Sequence, residues 1–384
     1  MCPLDQGLKL VTGYLADLIY YFGSYGKDAI CKKNLPLSSS TKYNTKIVKT
    51  VHMVFSGDLS QRFFFAAVAI ISFTGNVFFI VIIIRNRKLL RKAYHKIILS
   101  LAITDMMIGL CLVLTPVYII GQKPALTSKN VGSAMFCYII GNQYLVFTLG
   151  IVSLYTVTLL AVERWCAVFR PFEHRTTFRI HKVRQYLIVI WIASFATNST
   201  HILETKYFLN NVNTTERCVF QGIASREARV VIGVVEIFLK FLIPFLILVV
   251  SFTHLYRFMK DSLVVATTHP SNYIALTRVT HMAAATSLVM VLCWFPNQLV
   301  YLLFKLDVVQ LNTPFHKATV IVCMFNSCLN PCIFLLSNKL YRKKAKELLP
   351  KCRGSVKDFD LTSTESKKVV QSVVPVKFLE GNIL

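Results

Sequence analysis

Asp105, Glu163, Arg164, Glu236 and Lys240 are ionisable side chains set within or at the ends of long apolar runs. Such groups are costly in hydrocarbon, so they face a protein interior, pair with one another, or mark an ion path or a switch. Glu236 and Lys240 stand one helical turn apart in acid-before-base order, the spacing that lets them pair on one helix face. Two readings stay open for this pair. It is a self-satisfied ion pair with no ligand role, or the floor of a pocket that reads a polar ligand terminus. Asp105 is a lone carboxylate within an apolar run, a charge that needs a partner of some kind there. The chemistry on offer is binding and switching rather than bond making, and no enzyme activity is expected.

The elements that must hold these groups are membrane helices. Hydrophobic residues make up 54% of the 384 and charged residues 16%, with a mean hydropathy of +0.55, too apolar for a soluble chain of this length. Apolar runs recur near 63–84, 97–120, 138–162, 186–203, 230–256, 281–304 and 315–336. Each can cross about 30 Å of hydrocarbon as a helix. In chain order they carry Asn76, Asp105, Arg164, Trp191, Pro244, Pro296 and Pro331, residues that hydrocarbon alone would not select. The fold class expected is an all-α membrane protein, a seven-transmembrane helix bundle with a short amphipathic cytoplasmic helix. The organisation expected is an extracellular tail over 1–62, the bundle over 63–336, the juxtamembrane helix over 337–352 and a cytoplasmic tail over 353–384.

Orientation follows from the short loops, because basic residues flanking a span are retained in the cytoplasm. The first connection holds Arg85, Arg87, Lys88, Arg91, Lys92 and Lys96, and the third-to-fourth connection adds Arg170, Arg175, Arg179, Lys182 and Arg184. The N-terminus is therefore expected outside, with span one directing insertion because residues 1–7 do not read as a secretory signal. The net charge of +25 sits largely beside membrane ends, where orientation and anionic lipid account for it, and no nucleic-acid partner is expected. By this topology Cys2, Cys31, Cys137 and Cys218 lie outside, and four cysteines allow three pairings.

From Cys137 to the string Glu163-Arg164-Trp165, span three reads as one helix of about 40 Å, with Arg164 at its inner end. An arginine there can simply snorkel to lipid phosphate, but adjacent Glu163 offers a local charge partner. Ser153 lies eleven residues before Arg164, close to three full turns, so both face one stripe. Span six carries Cys293-Trp294-Phe295-Pro296, a proline hinge with an aromatic beside it, and span seven carries Asn326-Ser327-Cys328-Leu329-Asn330-Pro331 followed by Phe334.

Together with Gly75-Asn76 and Leu101-Ala102-Ile103-Thr104-Asp105, these strings resemble the rhodopsin-like G-protein-coupled receptors, over about residues 60–352. The resemblance implies a seven-helix bundle with an outer ligand pocket and an inner face that opens to a heterotrimeric G protein. It makes Arg164 the G-protein contact and Phe172 an apolar plug. It assigns Asp105, Ser153, Asn326, Ser327 and Asn330 to a sodium pocket, sodium being the one ion expected and no other cofactor. Glu163, Leu154, Pro244, Met290, Pro296, Asn330, Pro331 and Phe334 fall at switch positions. Phe252 and Phe334 stand where relatives carry tyrosines, and Met290 where they carry phenylalanine, which implies a less strongly held active state. Leu276 and Arg278 replace the acid that locks the inner arginine in some members. Cys137 with Cys218 is the disulfide expected, although the Cys137-to-Arg164 interval is two residues longer than usual.

For the ligand, Val146 replaces the acid that amine receptors place on span three, and Met324 replaces the lysine of opsins. Gln143, Phe147, Glu236, Lys240, Trp294, Asn297, Gln298 and Tyr301 are the expected ligand contacts, amides and aromatics suited to peptide backbone. Cys-Trp-Phe-Pro-Asn-Gln resembles the neuropeptide branch, such as receptors for galanin, allatostatin or RFamide peptides. Lys305 and Lys317 leave the vestibule without acidic character, which favours an amidated or acidic peptide. Asn213 heads a glycosylation sequon, whereas Asn198, which heads another, sits near the membrane. Leu340, Tyr341, Ala345, Leu348 and Leu349 alternate with basic residues, reading as a helix on the inner leaflet. Cys352 beyond it is a palmitoylation candidate, and the cluster from Thr362 to Ser366 is a phosphorylation candidate for an arrestin-like partner. A receptor for a non-peptide ligand or a ligand-free scaffold is the alternative. A transporter or channel is the weaker rival, because no inverted repeat appears.

Overall fold

The computed structural model describes residues 58–119, 131–207, 218–220, 223, 225–261 and 270–348. Residues 1–57 with Cys2 and Cys31, Asn213, Leu349, Cys352 and the Thr362–Ser366 cluster lie outside them. The chain divides into two compact units, Met1–Ala345 and Lys346–Leu384, and of the second only residues 346–348 are described.

Among the described residues, seven helices are long and apolar enough to cross a membrane. They are α1 (Asp58–Arg85), α2 (Ala93–Leu114), α3 (Tyr144–Phe169), α4 (Ile180–Thr197), α5, α6 (Pro270–Lys305) and α7 (Pro314–Ser337), with α8 (Lys339–Leu348) following. Helix α5 is built in three parts, Arg226–Ile237, a π turn over Phe238–Leu242, and Ile243–Asp261. Pro244 has no N–H to give to a carbonyl one turn back, and the wide turn beside it carries Lys240 into the bundle.

Helix α3 is the axis of the packing, with 72% of its apolar window inside the protein against 11% for α4. It touches α2, α4, α5 and α6, while α1 packs on α2 and α7. Phe79, Ile82, Ile97, Leu101, Leu112 and Leu149 are fully buried between these helices. Polar pins fix the contacts: Asn76 Nδ2 donates to Ser72 O (2.8 Å) and Ser327 O (2.9 Å), joining α1 to α7. Ser72 Oγ donates to Asp105 O at 2.7 Å, joining α1 to α2. Such bonds replace water that lipid cannot supply.

Span three is not one continuous helix. A short helix Val131–Phe136 runs into a π turn, Cys137–Gly141, and α3 begins only at Tyr144, after Gln143 in a left-handed conformation (φ 67°). The wide turn and the left-handed residue take up the extra length before Arg164, and the Cys137–Cys218 disulfide forms. Its second cysteine lies on β2 (Cys218–Phe220), which pairs antiparallel with β1 (Thr205–Tyr207).

Part of the apolar side of helix α8 packs on the bundle. Tyr341 is fully buried against Phe79 of α1, with ring centroids 5.0 Å apart, and bonds through its hydroxyl to His95 Nδ1 at 2.7 Å. Burial holds that hydroxyl well above the ordinary phenol range. Leu340 remains on the exposed side.

Candidate functional site

The outer half of the bundle encloses a cavity of about 330 Å³. Gln143, Phe147, Lys240, Trp294, Asn297, Gln298 and Tyr301 line it, together with Asn142, Asn198, His201, Phe220 and His316. Glu236, expected as a direct contact, is not among the lining residues; it stands behind Lys240 and accepts from its ammonium at 2.6 Å. Lys240 Nζ also donates to Asn198 Oδ1 at 3.1 Å. Gln143 owes its place to the left-handed turn above α3, where its Oε1 accepts from Tyr118 Oη at 2.6 Å.

Lys305 is not a vestibule charge. It is fully buried at the end of α6, paired with Glu204, and its Nζ lies 3.5 Å from Glu236 Oε2. Tyr301 Oη donates to Glu204 Oε2 at 3.0 Å, and Thr200 donates to Glu236. Glu204, Lys305, Glu236 and Lys240 therefore form one chain of alternating charge that ties α6 to α5 and to the segment after α4. Gly233 makes the crossing possible, since a Cβ there would stand 2.6 Å from Lys305 Cβ. Sequence reasoning missed Glu204 and misplaced Lys305 because charged residues at span ends ordinarily reach for water. The Asn198 sequon is explained as well: Asn198 is buried, with Nδ2 donating to Thr148 Oγ1 at 2.8 Å and to Tyr144 O at 3.2 Å.

Trp294 forms the cavity floor and is seated against Gly150 of α3, where a Cβ would come within 2.3 Å of its ring. Leu154, Pro244, Met290 and Pro296 are all buried in the helices that carry the cavity. Asp105 lies in the bundle core, where Ser153 Oγ donates to its Oδ1 (3.2 Å), Asn330 Nδ2 to its Oδ2 (2.6 Å) and the Ser327 hydroxyl to its carboxylate. The side-chain oxygens of Asn326 and Asn330 are buried with no hydrogen-bond partner among the described residues. Pro331 is buried within α7, and Phe334 packs on Phe79 at 4.9 Å between centroids.

At the other end of α3, Arg164 is buried, paired with Glu163, with its guanidinium 4.7 Å from the centre of the Tyr94 ring. Glu163 has a second partner that the sequence did not suggest, His174 Nε2 at 2.8 Å, carried on the short helix Pro171–Thr177. Phe172 on the same helix is 83% exposed, an apolar side chain with no cover from the bundle. Arg278 is exposed, in keeping with an arginine held by Glu163 rather than by an acid on α6.

A cavity at one end, a proline-bearing helix under it and a paired arginine at the other end define a seven-helix membrane receptor. A model of the 7 transmembrane receptor (rhodopsin family) matches residues 75–334, and the chain belongs to that family of G-protein-coupled receptors. It is 23% identical over 290 residues to galanin receptor 2a of Danio rerio, covering 74% of this chain and 76% of the relative. It is 24% identical over 316 residues to type-1 angiotensin II receptor A of Rattus norvegicus, covering 78% and 83%. It is 28% identical over 312 residues to the histamine H2 receptor of Homo sapiens, covering 78% and 82%.

Proposed function

We propose that this receptor sits in the plasma membrane with its N-terminus outside, binds an extracellular neuropeptide in the outer cavity and activates a heterotrimeric G protein at its inner end. The observation that carries the peptide reading is the lining itself. Asn142, Gln143, Asn297 and Gln298 present amide donors and acceptors between aromatic surfaces, and among the described residues no Asp or Glu lines the cavity. Amides match the hydrogen-bonding pattern of peptide backbone. The histamine-named relative raises an amine as the rival ligand, and Val146, apolar and fully buried, gives an ammonium no carboxylate on α3. The four-charge chain is balanced within itself across three elements, which supports a switch over an ion path and a receptor over a transporter. The receptor performs no covalent catalysis.

Inside, Arg164 is the G-protein contact and exposed Phe172 the plug that docks beside it; arrestin and anionic lipid share this face. Peptide-stimulated nucleotide exchange in membranes holding the chain, lost in Arg164→Ala, tests this account. Ion flux without exchange would contradict it.

Asp105, Ser153, Asn326, Ser327 and Asn330 hold a sodium ion as an allosteric ligand in this reading. Its support is the orphaned oxygens of Asn326 and Asn330, acceptors that a cation would satisfy beside the buried carboxylate. Raising sodium from millimolar to physiological levels at constant ionic strength is expected to lower agonist affinity several-fold in the wild type and to leave Asp105→Asn unchanged. An equal sodium effect in both would exclude the site.

A further inference from the structure

We propose that the Lys240 side of the cavity is a subsite for a neutral hydrogen-bond acceptor, the carboxamide end of an amidated peptide, and that it turns away a free carboxylate. The inference rests on the peptide reading above and specifies which peptide terminus the cavity takes.

Lys305 is matched to Glu204 and Lys240 to Glu236, with Lys305 reaching the second oxygen of Glu236, so two ammonium groups meet two carboxylates. All four side chains are buried. Among the described residues lining the cavity, Lys240 is the one Lys, Arg, Asp or Glu, and its charge is already taken. A ligand carboxylate would bring an unmatched negative charge against a buried, balanced cluster, where an uncompensated ion is strongly penalised.

Donors are what the site has to spare. An ammonium carries three N–H groups, and Lys240 gives two, to Glu236 Oε1 and Asn198 Oδ1. Asn142 Nδ2 is buried with no partner among the described residues, and so is His201 Nδ1; both residues line the cavity. A carboxamide oxygen accepts from Lys240 and Asn142 without altering the charge balance. The carboxamide NH2 can donate to the amide oxygens of Asn297 and Gln298 on the facing helix α6. A bare carboxylate has no proton for those oxygens.

The test uses a peptide set in which each sequence is made both as the C-terminal carboxamide and as the free acid, read by nucleotide exchange in membranes with matched surface levels of the full chain. Active sequences are expected to be at least about tenfold more potent as the carboxamide. Glu236→Gln leaves Lys240 with a surplus positive charge and is expected to bring the two forms to parity or invert their order. Glu236→Gln with Lys240→Gln is neutral again and should restore the preference for the carboxamide. Where Glu236→Gln fails to reach the surface, Lys240→Gln serves, with a lower carboxamide potency and no gain for the acid. Equal or greater potency of the free acid on the wild type overturns this inference alone and leaves the peptide reading in place. An amide-to-acid ratio that Glu236→Gln does not move also overturns it. Silence of both forms across the whole set, with the receptor at the surface, overturns it together with the peptide reading.

Discussion

Lys305→Met is expected to destabilise the folded receptor by about 3–5 kcal/mol, the range for removing one partner of a buried ion pair. Glu204 and Lys305 are both fully buried, so the carboxylate left behind keeps, among the described residues, the Tyr301 hydroxyl at 3.0 Å as its hydrogen-bond partner. The side chain of methionine nearly matches the lysine stem, so lost packing against Gly233 contributes little and the deficit reports the charge. Thermal unfolding of the purified receptor should show the loss. Glu204→Gln combined with Lys305→Met, which removes both charges, should recover most of it, because well-packed neutral replacements of buried pairs are often tolerated. A single variant as stable as the wild type would mean that Lys305 reaches water, against its burial here.

Gly150→Ala is expected to raise basal nucleotide exchange about tenfold, because overpacking of about 1–3 kcal/mol falls on one arrangement of a two-state bundle. A methyl at Gly150 would stand 2.3 Å from Trp294 Cζ2 and 2.5 Å from Cη2, closer than any real contact, so the indole must leave its seat. In the account proposed above an Arg164 held by Glu163 marks the resting arrangement, and the seated indole accompanies it here. In a Trp294→Ala background there is no ring to displace, and Gly150→Ala should then change basal exchange little. Unchanged basal exchange in Gly150→Ala at equal surface density would detach Trp294 from the switch.

The sequence made the bundle legible because the bilayer removes alternatives: a run of about twenty apolar residues can satisfy its backbone only as a helix. Polar residues inside those runs were legible for the same reason, and Asp105, Ser153 and Asn330 do meet in the core. Pairing of Glu236 with Lys240 followed from helical spacing and survives the π turn between them. What failed depended on backbone irregularity or on contacts between distant segments. Nothing in Gly141-Asn142-Gln143 announces a left-handed turn, so span three was read as a single rod. Lys305 could not be matched to Glu204 because 101 positions separate them and each, read locally, is a surface charge. His174 was hidden in a basic loop whose positive charge already had an explanation in membrane orientation. Asn198 was read as a glycosylation sequon whose proximity to the membrane argued against use, and its role as an interhelical pin became visible only with Lys240, Tyr144 and Thr148 beside it.

The central claim is that a ligand in the outer cavity shifts a bundle whose output passes through Arg164. The most direct measurement pairs binding with signalling on one set of membranes: saturation binding of an active peptide, and peptide-stimulated nucleotide exchange on a heterotrimeric G protein, for the wild type and for Arg164→Ala. The account predicts saturable peptide binding in both and exchange in the wild type alone, because the substitution lies at the far end of α3 from the cavity. Full peptide-stimulated exchange in Arg164→Ala would contradict it.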